Sequence, residues 1–320
     1  MIENKGDFRP LHTNIEPTMV GMRLDAFLAL NFPFLTRSLW RKKVRLGYLR
    51  VRGQIVRPSY RVRETDSFSF FHPQEVEPPV DNGIYPIGKA GSILAVYKPG
   101  NLPMHENGPY RKNTFAYLLG EKFGSEWAAV HRLDRETSGI VLCGATSSVR
   151  ASLSRMLVDC QVQKTYFAIA KGISERRQWD ENSPIGDLES SEIRIKKWVN
   201  KNGQEALTQF RVLEQSDGFS LLEARPKTGR TNQIRIHAAC GGLPLLGDKL
   251  YHPDESVFLE YFEKGNTSRV VAETGAERLC LHAGAIEFYH PESGKNVLFE
   301  SEIPEDMMGI WSEKNTQVEA

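Results

Sequence analysis

The sequence predicts an α+β chain with a small basic N-terminal unit and a larger domain built on a mixed, mainly antiparallel sheet. Three observations carry this expectation. Strand-like segments outnumber helix-like ones and do not alternate with them regularly, which disfavours a doubly wound parallel sheet. Positive charge is gathered near the N-terminus: residues 19–63 hold eleven Lys or Arg against the single acid Asp25, a net +10, which leaves −9 for the rest of a chain whose total is +1. A stretch at 73–90 rich in Pro and acids reads as a linker between the two. A length of 320 residues suits two domains.

Residues 1–18 lack periodicity and are expected to form a loose arm. In 19–72, Met22, Leu24, Phe27, Leu28 and Leu30, then Leu39, Val44 and Leu46, predict two short helices. Pro33 falls in the break between them, and Thr36 or Ser38 suits the cap of the second. Residues 48–56 read as strand, turn, strand, and 66–71 as a further strand.

The larger domain is expected over 91–320. Strands are predicted at 92–97, 127–130, 140–145, 165–170, 205–214, 219–224, 283–289 and 296–299. Ser216-Asp217-Gly218 marks one hairpin turn and Pro291-Glu292-Ser293-Gly294 another. Helices are predicted at 147–158 and 232–239.

Composition narrows the function. The N-terminal residues contain no apolar h-region, and no apolar run approaches a membrane span, so a cytoplasmic protein is expected. Cys143, Cys160, Cys240 and Cys280 lack disulfide or zinc spacing and read as small buried hydrophobes. A monomer is the default expectation. The uneven charge suggests a polyanion-binding module attached to a mildly acidic body.

The chemistry-bearing segment is His131-Arg132-Leu133-Asp134-Arg135-Glu136-Thr137-Ser138-Gly139, a charged loop between apolar strands. Arg132 and Arg135 flank Asp134, and nearby cations favour an ionised carboxylate, as a nucleophile requires. Thr137, Ser138 and Gly139 suit a tight turn. On pattern alone an ordinary salt-bridged loop is the commoner reading. Lys164-Thr165-Tyr166 is on its own a strand segment. Thr228-Gly229-Arg230-Thr231 leads into a helix carrying Arg235, and a phosphate loop is excluded because no Gly-Lys-Ser or Gly-Lys-Thr follows. His237 and Cys240 have a metal-like spacing without further partners, so no metal is expected.

The first segment resembles the motif His-Arg-Leu-Asp-x-x-Thr-Ser-Gly of the RluA-type pseudouridine synthases. The resemblance implies the pseudouridine synthase fold, an RNA substrate, an isomerase that needs no cofactor, and Asp134 as the catalytic carboxylate. Arg132 is implied to contact RNA and fill the space left by an extruded base. Tyr166 matches the family's Lys-x-Tyr, whose Tyr packs on the base and is a candidate for a late proton transfer. Pro226 to His237 is similar to Thr-Gly-Arg-x-His-Gln-aliphatic-Arg-aliphatic-His, which implies that Arg235 pairs with Asp134 and that Arg230 lies on the RNA side. Asn232 departs from the usual His. Lys98-Pro99-Gly100, Gly247-Asp248-Lys249-Leu250-Tyr251 and Leu281-His282-Ala283 also fit the family's text, with departures at Tyr97 and Asn101.

The N-terminal unit is similar to the S4-type RNA-binding domain, through Arg23-Leu24-Asp25, Thr36-Arg37-Ser38 and Gly47-Tyr48-Leu49, although Arg52 stands where Asn is common. That implies phosphate contacts by Arg23, Arg37, Arg41, Lys42, Lys43 and Arg45. S4-bearing members act often on ribosomal RNA, which is therefore favoured over transfer RNA. Two other functions fit the same residues: a non-catalytic RNA-binding or ribosome-assembly factor, and a metal-dependent hydrolase using His131, Asp134 and His237.

Overall fold

The computed structural model describes residues 6–33, 35–73, 77–188, 191, 193 and 195–316. Two compact units divide at Val76 and Glu77.

The first unit comprises β1 (Gly6–Leu11), α1 (Leu24–Asn31), α2 (Arg37–Arg45), β2 (Leu49–Val51), β3 (Gln54–Ile55) and β4 (Phe68–Pro73), with sheet order β1-β4-β2-β3. Thr36 caps α2 by accepting from the Leu39 amide at 3.4 Å. Trp40 and Val44, one turn apart on α2, are fully buried with Phe27, Leu28 and Leu49, which turns the basic residues of α2 outward. The expected loose arm of residues 1–18 is corrected over 6–11, its residues 1–5 lying outside the described residues: β1 lies antiparallel to β4, from Gly6 opposite Pro73 to Leu11 opposite Phe68. Its sequence gave no strand signal because Pro10 interrupts it. An edge strand tolerates that proline, and pairing with β4 supplies what local propensity lacks.

The second unit contains β5 (Tyr85–Ala90), β6 (Ile93–Lys98), α3 (Phe115–Phe123), β7 (Ala128–Ala129), β8 (Ser138–Gly144), α4 (Ser147–Val158), β9 (Gln163–Lys171) and β10 (Gln178–Glu181). It continues with β11 (Ile185–Asp187), β12 (Lys197–Val199), β13 (Thr208–Ser216), β14 (Phe219–Pro226), α5 (Gln233–Cys240), α6 (Glu255–Lys264), α7 (Ser268–Thr274), β15 (Leu281–Tyr289), β16 (Asn296–Glu300) and α8 (Glu305–Thr316). The expected linker is shorter than 73–90, because β5 already belongs to this unit's sheet and pairs with β6. Residues 74–76 of that expectation lie outside the described residues.

Ten strands form one sheet, ordered β10-β13-β14-β9-β15-β8-β6-β5, with β16 beside β15 and β7 beside β8. Among the described strands every pairing is antiparallel except β15 with β8. The mainly antiparallel α+β architecture expected from the sequence is therefore found. The middle stretches of β6 (93–96) and β8 (140–143) are apolar without interruption because both sheet faces are covered. Ile93, Ala95, Ile140 and Leu142 face one core, and Leu94, Val96, Val141 and Cys143 face the other. The turn joining β13 to β14 has positive φ at Asp217 (45°) and Gly218 (82°), as a two-residue hairpin of this twist requires. Among the described residues no helix is long and apolar enough to cross a membrane.

Candidate active site

The loop from His131 to Thr137 joins β7 to β8 and turns tightly at Arg135-Glu136, where the Thr137 amide bonds to the Asp134 carbonyl at 3.1 Å. The expected tight turn at Thr137-Ser138-Gly139 is corrected: Ser138 and Gly139 begin β8. Gly139 is needed for another reason. Its φ is 118°, and a Cβ there would lie 2.3 Å from the Ala283 carbonyl oxygen on the parallel neighbour β15.

Buried anchors hold this loop from behind. Lys98, fully buried at the end of β6, donates through Nζ to the carbonyls of Pro99 (2.8 Å), Leu102 (2.9 Å) and Arg135 (3.0 Å). Burial pulls the Lys98 ammonium down to about 7, opposed by the charge of Asp134. Glu136 accepts from Lys249 Nζ at 3.0 Å, from the Leu279 amide at 3.0 Å and from the Tyr261 hydroxyl. His131 accepts the Leu142 amide on Nε2 at 3.0 Å, so its ring is neutral, in line with burial and Lys164 pushing it down to about 4.

The sequence neighbours of Asp134 are not its ion-pair partners. Arg135 turns to Tyr110, Glu136 and Tyr261, and Arg132 is exposed on the cavity wall. The partner is Arg235, whose Nη1 donates to Asp134 Oδ2 at 2.9 Å. Asp134 Oδ1 has no hydrogen-bond partner among the described residues and is available to a ligand.

Arg235 reaches Asp134 because α5 is seated by the residues around it. Ile234 and Ala238, one turn apart, pack onto Ala168, Ala170, Leu222 and Ala224 of the sheet, while Ile236 enters a separate cluster. Gln233 staples the preceding turn, accepting from Thr228 Oγ1 (2.7 Å) and the Arg230 amide (3.0 Å) and donating to the Leu207 carbonyl (2.9 Å). Arg235 also makes a two-pronged bond to the buried Asp248 and lies over the Tyr251 ring, 5.0 Å from its centroid. Burial opposes its charge, but Asp248 and Asp134 outweigh that and raise its pKa further. Asn232, in a left-handed conformation with φ 56°, accepts from Arg235 Nη1 at 3.2 Å and donates to the Tyr251 hydroxyl at 3.1 Å.

Asp134, Arg235, Asn232, Tyr166, Arg132 and Arg230 line one cavity of about 510 Å³. Tyr166 enters it from β9, and burial together with the charge of Asp134 raises its phenol pKa, so it stays protonated. Arg230 donates through Nε to the Glu205 carbonyl at 2.9 Å. Leu157, Val158, Cys160 and Lys164 also line the cavity. The expectation of four buried cysteines is corrected, since Cys143 and Cys280 are buried whereas Cys160 and Cys240 are exposed. His237 lies elsewhere, with its ring nitrogens against Thr208 Oγ1 (2.9 Å) and the Ser183 carbonyl (3.0 Å). The basic residues Arg23, Arg37, Arg41, Lys42, Lys43 and Arg45 belong to the first unit. Asp248, Lys249 and Tyr251 were legible only as family text, and it is their contacts with Arg235 and Glu136 that give them roles.

Residues 92–240 match the family model for RNA pseudouridylate synthase. The chain is 32% identical over 305 residues to an uncharacterized RNA pseudouridine synthase of Aquifex aeolicus, covering 91% of this chain and 93% of that one. The chain belongs to the RNA pseudouridine synthase family. As an RluA-type RNA pseudouridine synthase it is an isomerase. It is also 29% identical over 317 residues to the ribosomal large subunit pseudouridine synthase D of Xanthomonas campestris, covering 95% of this chain and 93% of that one. The structure of human RNA pseudouridylate synthase domain containing 1 has the same fold, with a TM-score of 0.57 and 22% identity over 71% of this chain and 86% of that one.

Proposed function

We propose that this pseudouridine synthase acts in the cytoplasm on specific uridines of ribosomal RNA, with Asp134 as its catalytic carboxylate and the first unit as an S4-like RNA-binding domain. The observation that carries the catalytic assignment is the Asp134–Arg235 ion pair, placed in one cavity with Tyr166 and Arg132. The ribosomal preference is supported by the name of the Xanthomonas campestris relative, and transfer RNA is the alternative.

Pseudouridine formation moves C1′ of the ribose from N1 to C5 of the base and a proton from C5 to N1. A stacked base is out of reach of a carboxylate, so the uridine is flipped into the cavity. Asp134 Oδ1 then meets the sugar or the base, while Oδ2 is fixed by Arg235. Arg132, exposed on the wall, fills the gap left in the RNA. Tyr166, held protonated, serves as a face on which the base packs and as a hydrogen-bond donor, not as a phenolate base. Arg230 lies on the RNA side.

The test is Asp134→Asn. Tritium release from RNA labelled at uridine C5 is expected to vanish while RNA affinity stays close to that of the parent. Release at the parental rate overturns the assignment. Pseudouridine mapping of total RNA from cells with and without the gene names the substrate, and a lost site in transfer RNA alone overturns the ribosomal reading.

A further inference from the structure

The first unit holds an arrangement that the count of basic residues does not reveal. Asp25, in the first turn of α1, is 1% exposed, and three arginines converge on it. Arg23 grips both its oxygens, Nε to Oδ1 and Nη2 to Oδ2, each at 3.1 Å. Arg37 adds Nη2 to Oδ1 at 3.4 Å, and Arg41 brings Nε to 3.8 Å from Oδ2. Arg37 and Arg41 stand one turn apart on α2, so the helix offers both to the same point. Burial opposes the charge of Asp25, but the hydrogen bond from Arg23 and the charge of Arg37 hold its carboxyl below the usual carboxylate range.

One fork already balances the charge of one carboxylate. The second and third guanidiniums are in excess, and the four side chains together carry +2. The arginines keep side-chain exposures of 40%, 54% and 49%. Most of the five N–H donors of each guanidinium therefore remain for an acceptor in solvent. Convergent like charges with spare planar donors fit a phosphodiester.

We infer that Asp25 is a positioning residue that gathers Arg23, Arg37 and Arg41 into a preformed site for RNA backbone phosphate. This rests on the reading of the first unit as RNA-binding and says how its affinity arises: the long side chains are fixed before RNA arrives, so less entropy is lost on contact.

Charge alone and positioning predict opposite signs for Asp25→Asn, which makes the unit one charge more positive. The measurement is the affinity of the full chain for a fluorescein-labelled RNA stem-loop across a salt series. Positioning predicts binding weakened roughly tenfold, with a shallower salt dependence. Equal or tighter binding overturns the inference. Should Asp25→Asn lose the unit's fold, seen as lost hydrogen-exchange protection of the α1 and α2 amides, the double variant Arg37→Lys, Arg41→Lys decides, because it keeps the charge and removes the forks. The inference expects that variant to weaken binding at least threefold, and parental affinity overturns it. The double variant Arg37→Ala, Arg41→Ala separates the two readings. If it weakens binding while Asp25→Asn does not, the RNA surface stands and the positioning role falls. If neither changes binding, both fall.

Discussion

Asp248 holds Arg235 by both carboxylate oxygens, Oδ2 to Nε and Oδ1 to Nη2, each at 2.7 Å, which leaves Nη1 to reach Asp134. The guanidinium plane is thus set by a buried residue that does not line the cavity. Asp248→Asn removes the buried charge that balances Arg235 and one prong of the fork. Stability is expected to fall by about 3 kcal/mol, within the range for breaking a buried pair. In steady-state assays kcat is expected to fall more than tenfold with KM little changed, because the RNA contacts remain. A variant with parental kcat refutes the positioning role.

Asn232 stands where the family usually has His, and it ties Arg235 to Tyr251 from a left-handed backbone. Asn232→Ala loses both bonds and places a Cβ-bearing residue without local hydrogen bonding at φ 56°, a cost of about 1–2 kcal/mol. Its isomerisation rate is expected to drop severalfold. Asn232→His, which tolerates that conformation and restores a polar ring, is expected to keep most activity. The comparison of the two rates is the test. Equal loss in both would show that the amide itself is required.

Gly139→Ala is expected to be severely destabilising. Its Cβ would meet backbone atoms of Ala283 at 2.3, 2.6 and 2.8 Å, and backbone on a central strand cannot swing aside. A loss above about 3 kcal/mol in chemical denaturation is expected, as for other strained or overpacked core positions. A loss below 1 kcal/mol would mean that β8 and β15 separate easily.

Stability should also fall on mild acidification. His282 is fully buried, with Nδ1 3.0 Å from Ser138 Oγ and Nε2 3.3 Å from the Ser301 carbonyl. Burial lowers it to about 4, only partly opposed by the Ser301 bond, and His131 is lowered to a similar value. In the unfolded chain both protonate near 6.5, so the unfolded state binds more protons between pH 6.5 and 4. Stability is then full above 6.5 and is lost as pH falls through 4. For His282 the loss is at most about 3 kcal/mol. Denaturant midpoints at pH 7, 5.5 and 4.5 check this, and a His282→Gln variant is expected to show a flatter decline.

Much of this was legible in the sequence, and the omissions have physical causes. Helix α4 matches its expected range because Thr146 caps it, accepting from the Val149 amide at 3.2 Å, and Val149 and Leu153 lie one turn apart toward the core. The hairpin at Asp217-Gly218 was legible because both residues accept positive φ. Strand β1 was not, because its pairing with β4 is tertiary. Arg135 beside Asp134 suggested an ion pair that the structure does not form, since the turn at Arg135-Glu136 sends that side chain to Tyr261. Asp134 and Arg235, 101 residues apart, were linked only through family likeness, because nothing local in either segment specifies the other.

The parallel contact of β8 with β15 divides the large sheet into two hands of the chain. Asp134 comes from the first, which ends at β8, whereas Tyr166 and Arg235 come from the second, which begins at β9. Neither hand carries the whole of the proposed site. Regain of isomerisation during refolding is therefore a clock for the closing of that seam. Two fragments cut between α4 and β9 would each be inert until they find one another.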